Sequence, residues 1–457
     1  MCHISTVIYL TTLKTRIITD NTGDYLELPV LYPWLPPLLD YQRLFSARSL
    51  SWHRDLCCAV RLCLEYAAAN AGCFSKSREL FESFSIRLRG GTVGPDGMDP
   101  SGLYWRPKRR AQANTIIVHL TQFSAWLSGR DDVPAINPLR DATRHEQVIA
   151  GLAWAHRNKE SFLGHTASEA KAREDGTKTP WVPRQLELKV IEKRPRFPEE
   201  KFLPLITEGF ANDYRGALIT TLLHGAGNRT SEAFHVWFDD VVEDPADPTV
   251  ALVRIGHPEK GFVVVGDNKC VTRREYLRGL GLRPRNLVVG SQHAGWKNPT
   301  LDGKWFLASY WSDPAYGRLF LTLWRKYLQE LANLPLTLPW AWVNFRGKVG
   351  SPYTMHEYSR AHAAAVRRIG LEPRKSEGTT SHGHRHACLY RLKAAQMDSL
   401  VIKRVAHQHS LASQEVYTEA EQQQIRTAIT TAYERLGTDQ RLEIGPIIKK
   451  LSEPKPL

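Results

Sequence analysis

The feature that most constrains this chain is a set of residues that no local structure can bring together. Arg229 lies in His224-Gly225-Ala226-Gly227-Asn228-Arg229-Thr230-Ser231-Glu232, His382 and Arg385 lie in His382-Gly383-His384-Arg385-His386, and Tyr417 stands near the end. Two arginines, a histidine one helical step before the second, and a late tyrosine form a phosphate-handling set only if long-range packing assembles them. A phosphodiester resists attack because its anionic oxygens repel a nucleophile and charge grows toward the transition state, so donors that never lose their protons are needed. Guanidinium meets that need through permanent charge and a planar fork, which makes Arg229 and Arg385 a clamp for the non-bridging oxygens. Tyrosine ionises near pH 10 or so and is a weak nucleophile unless adjacent positive charge favours the phenolate. Histidine titrates near neutrality, so His382 suits proton handling.

Three stretches carry a family resemblance. Arg229-Thr230-Ser231-Glu232, running into the part-apolar stretch 233–240, resembles the first box of the tyrosine recombinases, or phage integrases, with Asn228 where an apolar residue is usual. His382-Gly383-His384-Arg385 resembles their H-x-x-R second box. The stretch 398–406, followed by His407 and then 410–418, is a longer match to the third box. That family cuts and rejoins DNA through a phosphotyrosyl intermediate. The resemblance implies Tyr417 as nucleophile, Arg229 and Arg385 as clamp, His382 as proton carrier, and neither metal nor cofactor, because one phosphoester is exchanged for another.

Two positions stay open. The family usually places a histidine or tryptophan nine before the tyrosine, and here Gln408 holds that place between His407 and His409. We assign His409 to the site, with His407 and Gln408 as alternatives; a glutamine cannot replace a proton carrier, which keeps alive a catalytically inactive DNA-binding regulator of the same fold. The family's catalytic lysine sits on a β-hairpin and protonates the leaving 5′ oxygen. β-Branched content makes 250–255 a strand and 262–265 its expected partner, and the turn residues between them put Lys260 at the tip, with Lys269 as competitor. His382 and His386 share a helix face as zinc ligands can, but neither a cysteine pair nor H-E-x-x-H accompanies them, so no metal is expected.

Charge agrees with a double-stranded DNA partner. The 457 residues carry 61 Lys plus Arg against 47 Asp plus Glu, a net charge of +14 and a pI near 9.4. Such an excess supplies salt-sensitive attraction to phosphate without sequence preference. Seven cysteines, odd in number and unpatterned, read as reduced thiols. With no apolar run of about 18 residues and no basic-then-apolar leader, a cytoplasmic protein is expected.

The expected fold class is mainly α with small β-sheets (α+β). The expected organisation is a small N-terminal β unit at 1–36, helices at 37–130, a linker at 131–198, a catalytic segment at 199–436 and a tail at 437–457. Trp52, Leu56, Val60, Cys63 and Ala67 share a helix face after the cap Ser49, and Ile116, Leu120, Phe123 and Leu127 share another before Gly129. By the resemblance, these helices form a core-binding domain that grips the duplex. Arg106, Lys108, Arg109 and Arg110 beside Tyr104 and Trp105 could lie on phosphates or be a solvated loop. Arg273 and Arg274 belong to an Arg- and Trp-rich extension at 266–313 whose charge asymmetry suggests a DNA-facing insertion. Leu319, Phe320, Leu323, Trp324, Tyr327 and Leu331 make a core helix face. After the tyrosine, Ile425, Ala428, Ile429, Ala432 and Leu436 mark an amphipathic helix that covers either its own subunit or, as the family resemblance implies, a neighbour in a homotetramer on two DNA sites. The whole plan resembles the recombinase component of gamma-mobile-trio elements, which implies integration or recombination of a mobile element with accessory proteins. Type IB topoisomerases share such an active site, but the arrangement ahead of it favours recombination.

Overall fold

The computed structural model describes residues 9–16, 25–131, 133–159, 178–185, 194–266 and 269–408, with backbone alone described for 9–16, 25–26 and 153–159. Tyr417, His409 and the helix expected from Glu419 lie outside the described residues. Helices dominate the described chain and strands occur in four small sheets, the α+β class expected. Among the described residues no helix is long and apolar enough to cross a membrane. The chain divides into two compact units, Met1–Val190 with Val263–Gly295, and Ile191–Phe262 with Trp296–Leu457.

The first unit opens with an antiparallel pair, β1 (Tyr9–Arg16) and β2 (Tyr25–Tyr32). Four helices follow: α1 (Pro36–Leu44), α2 (Leu50–Ala69), α3 (Ser77–Gly90) and α4 (Arg110–Asp131). Ser49 caps α2 as expected, its side chain accepting from Trp52 N at 3.3 Å, which satisfies one of the orphan donors of the first turn. The periodic face then delivers Leu56 and Val60 to a core shared with Phe81, Phe84, Ile117, Leu120 and Phe123. Residues 131–198 carry more structure than a linker needs. A short antiparallel pair, β3 (Leu139–Asp141) and β4 (Lys178–Pro180), flanks α5 (Arg144–Lys159), and Val182 seats in the same core.

The second unit is built around α6 (Tyr214–Ala226), whose residues from Gly216 to Ala226 are all buried. A helix apolar on every side has to be central. Leu218, Ile219, Leu222 and Leu223 are fully enclosed, each removal from water contributing about 1.5–3 kcal/mol. Past the one-turn helix α7 (Thr230–Ala233), an antiparallel sheet runs in the order β5 (Val241–Asp244), β6 (Asp247–Gly256), β9 (Phe306–Ser309).

The hairpin expected between 250–255 and 262–265 does not form. Both edges of β6 are occupied, by β5 through Val241↔Val253 and by β9 through Val253↔Ser309, so β7 (Phe262–Val265) pairs instead with β8 (Lys269–Thr272). The short α8 (Arg273–Gly279) follows, and the extension through Gly295 belongs to the first unit, where Glu27 accepts from Val289 N at 2.8 Å and pairs with Arg283 at 3.4 Å. In the second unit α9 (Pro314–Leu331) buries Phe320, Leu323, Trp324, Tyr327 and Leu331, and α10 (Met355–Arg368), α11 (Ser381–Ala394) and α12 (Ser399–Val405) complete it.

Candidate active site

The two arginines meet because of how α6 ends. Gly227 caps it in the left-handed conformation (φ 69°), where a Cβ would be strained and would press on Cys388 Sγ at 3.2 Å. The chain turns there and presents Arg229 as the N-cap of α7. Arg385, on the second turn of α11, reaches back so that Nη1 donates to the Gly227 carbonyl and Nη2 to the Ala406 carbonyl at 2.6 Å. Arg229 Nη1 points to the next carbonyl, that of His407, at 3.5 Å. The two guanidiniums therefore converge on one short segment, Ala406–His407, where the first stretch of the third sequence box ends.

Glu232 fixes Arg229. Its carboxylate accepts from the Arg229 backbone N at 2.8 Å, pairs with Arg229 Nη1, and lies 3.4 Å from His407 Nδ1. The side chain is completely buried. Burial alone would raise its pKa, yet the contact from His407 and the charges of His407, Arg229 and Arg385 bring it down to about 2. Glu232 was visible in the first box as the third residue after the arginine, but its spacing alone reads as an ordinary capping box.

His407 is not a solvent-facing proton carrier. Its ring is buried, with Nε2 at 2.9 Å from the Ala308 carbonyl and Nδ1 facing Glu232, and its backbone adopts φ 50°. Both nitrogens face acceptors, so its role is bracing, and the alternative that it turns into the site is withdrawn. Gln408 Oε1 is buried without a hydrogen-bond partner among the described residues.

His382 stands exposed on α11, its ring 4.5 Å from that of buried His386. Desolvation by its surroundings, then the positive charges of Arg385, Arg194, Lys375 and Lys297, hold it at about 4. The ring is open to solvent, which limits desolvation and leaves the four cations as the lasting cause. Either way the imidazole is neutral at pH 7 and able to accept a proton. The four cations make these surroundings electropositive, and Arg194, Lys297 and Lys375 were not expected beside His382, because only long-range packing brings their separate segments to it.

Lys260 occupies the turn after β6, exposed, with Nζ 4.5 Å from the centre of the Trp305 ring. His257 Nδ1 accepts from the backbone N of Glu259 and Lys260 at 3.1 and 3.2 Å and so shapes that turn. The His257 ring also meets Trp296, which touches His235 just past α7. Lys269 belongs to the other compact unit.

In the first unit Arg106, Arg109 and Arg110 are exposed and Lys108 is half-buried, ahead of and entering α4. Trp105 packs into the core against Tyr66 and Phe84 and so does not face a ligand. Burial and the neighbouring charge of Arg110 lower the pKa of Arg89, a mark of crowded positive charge here. Arg274 is half-buried, whereas Arg273 is 2% exposed and Arg285 likewise. The Thr272–Glu275 capping box starts α8 with Arg273 turned inward, so the expectation of a DNA-facing Arg273 is corrected.

The sequence matches no protein-family model and no curated protein. Among solved structures the fold is similar to XerA recombinase (13% identity, 88% of this chain and 98% of that one, TM-score 0.32) and to the Tn1549 transposon integrase in complex with circular intermediate DNA (12%, 81% and 99%, 0.35). It is also similar to a lambda integrase dimer bound to a COC′ core site (11%, 85% and 98%, 0.41).

Proposed function

We propose that the protein is a DNA strand transferase of the tyrosine-recombinase type, a recombinase or integrase of a mobile element acting on double-stranded DNA. The observation that carries this reading is the convergence of Arg229 and Arg385 on Ala406–His407, with Glu232 beneath them and His382 one helical turn from Arg385. Fixed cations braced by carbonyls and a buried carboxylate suit an anion whose charge grows at the transition state. In this reading Tyr417 Oη attacks phosphorus and forms a 3′-phosphotyrosyl bond while its proton passes to His382. The P–O bond to the 5′ oxygen breaks, and Lys260 protonates that oxygen. The reverse sequence, with another 5′ hydroxyl, rejoins the strands, and His409 or Gln408 completes the phosphate shell. Arg106, Lys108, Arg109, Arg110 and Arg274 bind the duplex backbone, and recombination joins four copies on two sites with accessory proteins of the same element. Gln408 favours the second reading, a regulator that binds without cutting.

One assay separates the two. A duplex with a 5′-bridging phosphorothiolate traps the covalent intermediate because the sulfur leaving group reattacks poorly. The wild type should accumulate a protein-linked 3′ end, and Tyr417→Phe should bind equally and trap nothing. Binding without trapping by the wild type would select the regulator, and undiminished trapping by Tyr417→Phe would reject the nucleophile.

A further inference from the structure

A chain of three histidines runs through the second unit at the place where its helices must be held in register. His362 Nε2 lies 2.8 Å from His384 Nε2, and His384 Nδ1 lies 3.1 Å from His224 Nδ1. His224 Nε2 lies 2.8 Å from Arg391 Nη2 and 3.1 Å from Glu199 Oε2. All three rings are buried. His224 closes the last turn of α6, just ahead of the loop that leads to Arg229, His384 sits between His382 and Arg385 on α11, and His362 is on α10. We propose that this chain positions the site: it locks α6, α10 and α11 together through a single directional hydrogen-bond pattern and so sets the spacing of Arg229 and Arg385. The proposal rests on the strand-transferase reading for its catalytic consequence, not for the chain itself.

The direction follows from donor counting. A neutral imidazole has one N–H and one lone pair. Arg391 has only donors, so its close contact uses the His224 Nε2 lone pair and leaves the proton on Nδ1. His224 Nδ1–H then donates to His384 Nδ1, and His384 Nε2–H donates to His362 Nε2, which places the proton of His362 on Nδ1. Glu199, lying 2.7 Å from Arg391, is satisfied by that arginine.

The groups facing the rings favour neutrality. Phe202 stacks on His224 at 4.1 Å and Phe197 on His384 at 4.1 Å, Tyr316 lies edge-on to His224, and Tyr358 and Phe210 face His362. Glu199 and Arg391 are the charged neighbours, at the His224 end. Burial lowers the pKa of His384 well below its ordinary value and that of His362 to about 4, and it lowers that of His224 as well. Folded-state values below the unfolded one mean that stability is full above about pH 6.5 and is lost as pH falls through the folded values.

The test uses the full chain with ¹⁵N-labelled histidine. At pH 7 the side-chain spectra should show Nδ1–H on His224 and His362 and Nε2–H on His384. A cationic ring or the reverse order would overturn the proposal. His384→Phe, which can still stack on Phe197, should make the pH dependence of unfolding between pH 6.5 and 4 shallower by about one proton. It should also slow single-turnover cleavage about tenfold or more at every pH, with DNA affinity within about threefold. Cleavage equal to wild type across the pH profile would refute positioning. If His384→Phe does not fold, Glu199→Gln keeps all three rings and should keep the tautomer order, because Arg391 still donates; an inverted order would be decisive against it. A wild type that cleaves no DNA would count against the strand-transferase reading while the spectra still judge the chain.

Discussion

Replacing Glu232 by glutamine keeps the side-chain volume and removes one charge from the centre of the site, so its effect can be worked from the structure. The carboxylate is completely buried between Arg229 and His407 and its pKa stands at about 2, against about 4.5 for a free glutamate. A depressed carboxylate contributes stability that is present above the unfolded value and is lost as pH falls through the folded one. A difference of about two and a half units corresponds to about 3 kcal/mol at pH 7, declining to about 2 kcal/mol near pH 3.5. Glu232→Gln should therefore lower the unfolding free energy by about 3 kcal/mol at pH 7, with the gap from wild type narrowing as the solution is acidified. Urea unfolding of the full chain, followed by tryptophan fluorescence at a series of pH values, measures this directly. A gap below about 0.5 kcal/mol at pH 7, or one that does not narrow in acid, would show that the ion pair is not what holds Arg229.

Gly383→Ala should cost about 3 kcal/mol or more, because the added Cβ would overlap the Gly378 carbonyl; a variant melting with the wild type would mean that segment shifts freely. Arg385→Ala should slow cleavage by orders of magnitude with affinity within a few fold, whereas Arg109→Ala and Arg110→Ala should weaken binding to all sequences and lower the salt slope by about one unit per lost phosphate contact. Filter binding across a salt series beside single-turnover cleavage distinguishes them, and equal binding loss from both sets would refute the division. Asn228 is fully buried, and neither amide atom has a hydrogen-bond partner among the described residues. Asn228→Leu, close in shape, should therefore raise stability by about 1–3 kcal/mol in urea unfolding, and a loss of stability would reveal a bound water or ligand at that amide.

Local signals served well where a residue's role is local. Ser49 capping α2, the periodic face from Phe320 to Leu331, and the turn that carries Lys260 were all legible, because caps, periodicity and turn chemistry are short-range. Strand partners were not. β-Branched content marks 250–255 and 262–265 as strands, but which edge each finds depends on β9, roughly fifty residues later. Charge counting failed in the same way at Arg273: composition gives the number of guanidiniums and says nothing of which are turned inward. The histidine chain was hidden for a different reason, since His224, His362 and His384 come from three helices and each alone reads as a core histidine.

His407 shows how a site can differ from its sequence pattern while keeping the pattern's purpose. In sequence it is one of three polar neighbours competing for one catalytic place. In space its left-handed backbone aims its carbonyl at Arg229, and its ring spans from the Ala308 carbonyl on β9 to Glu232 on α7. One residue thereby ties the sheet, the first box and the third box to the same guanidinium. A group committed on both ring nitrogens is poorly placed to exchange protons, and in the strand-transferase reading His382, whose exposed, neutral ring lies among four cations, is the described histidine that can. In that reading the division follows from exposure: the buried histidine fixes the geometry, and the accessible one is left to exchange protons.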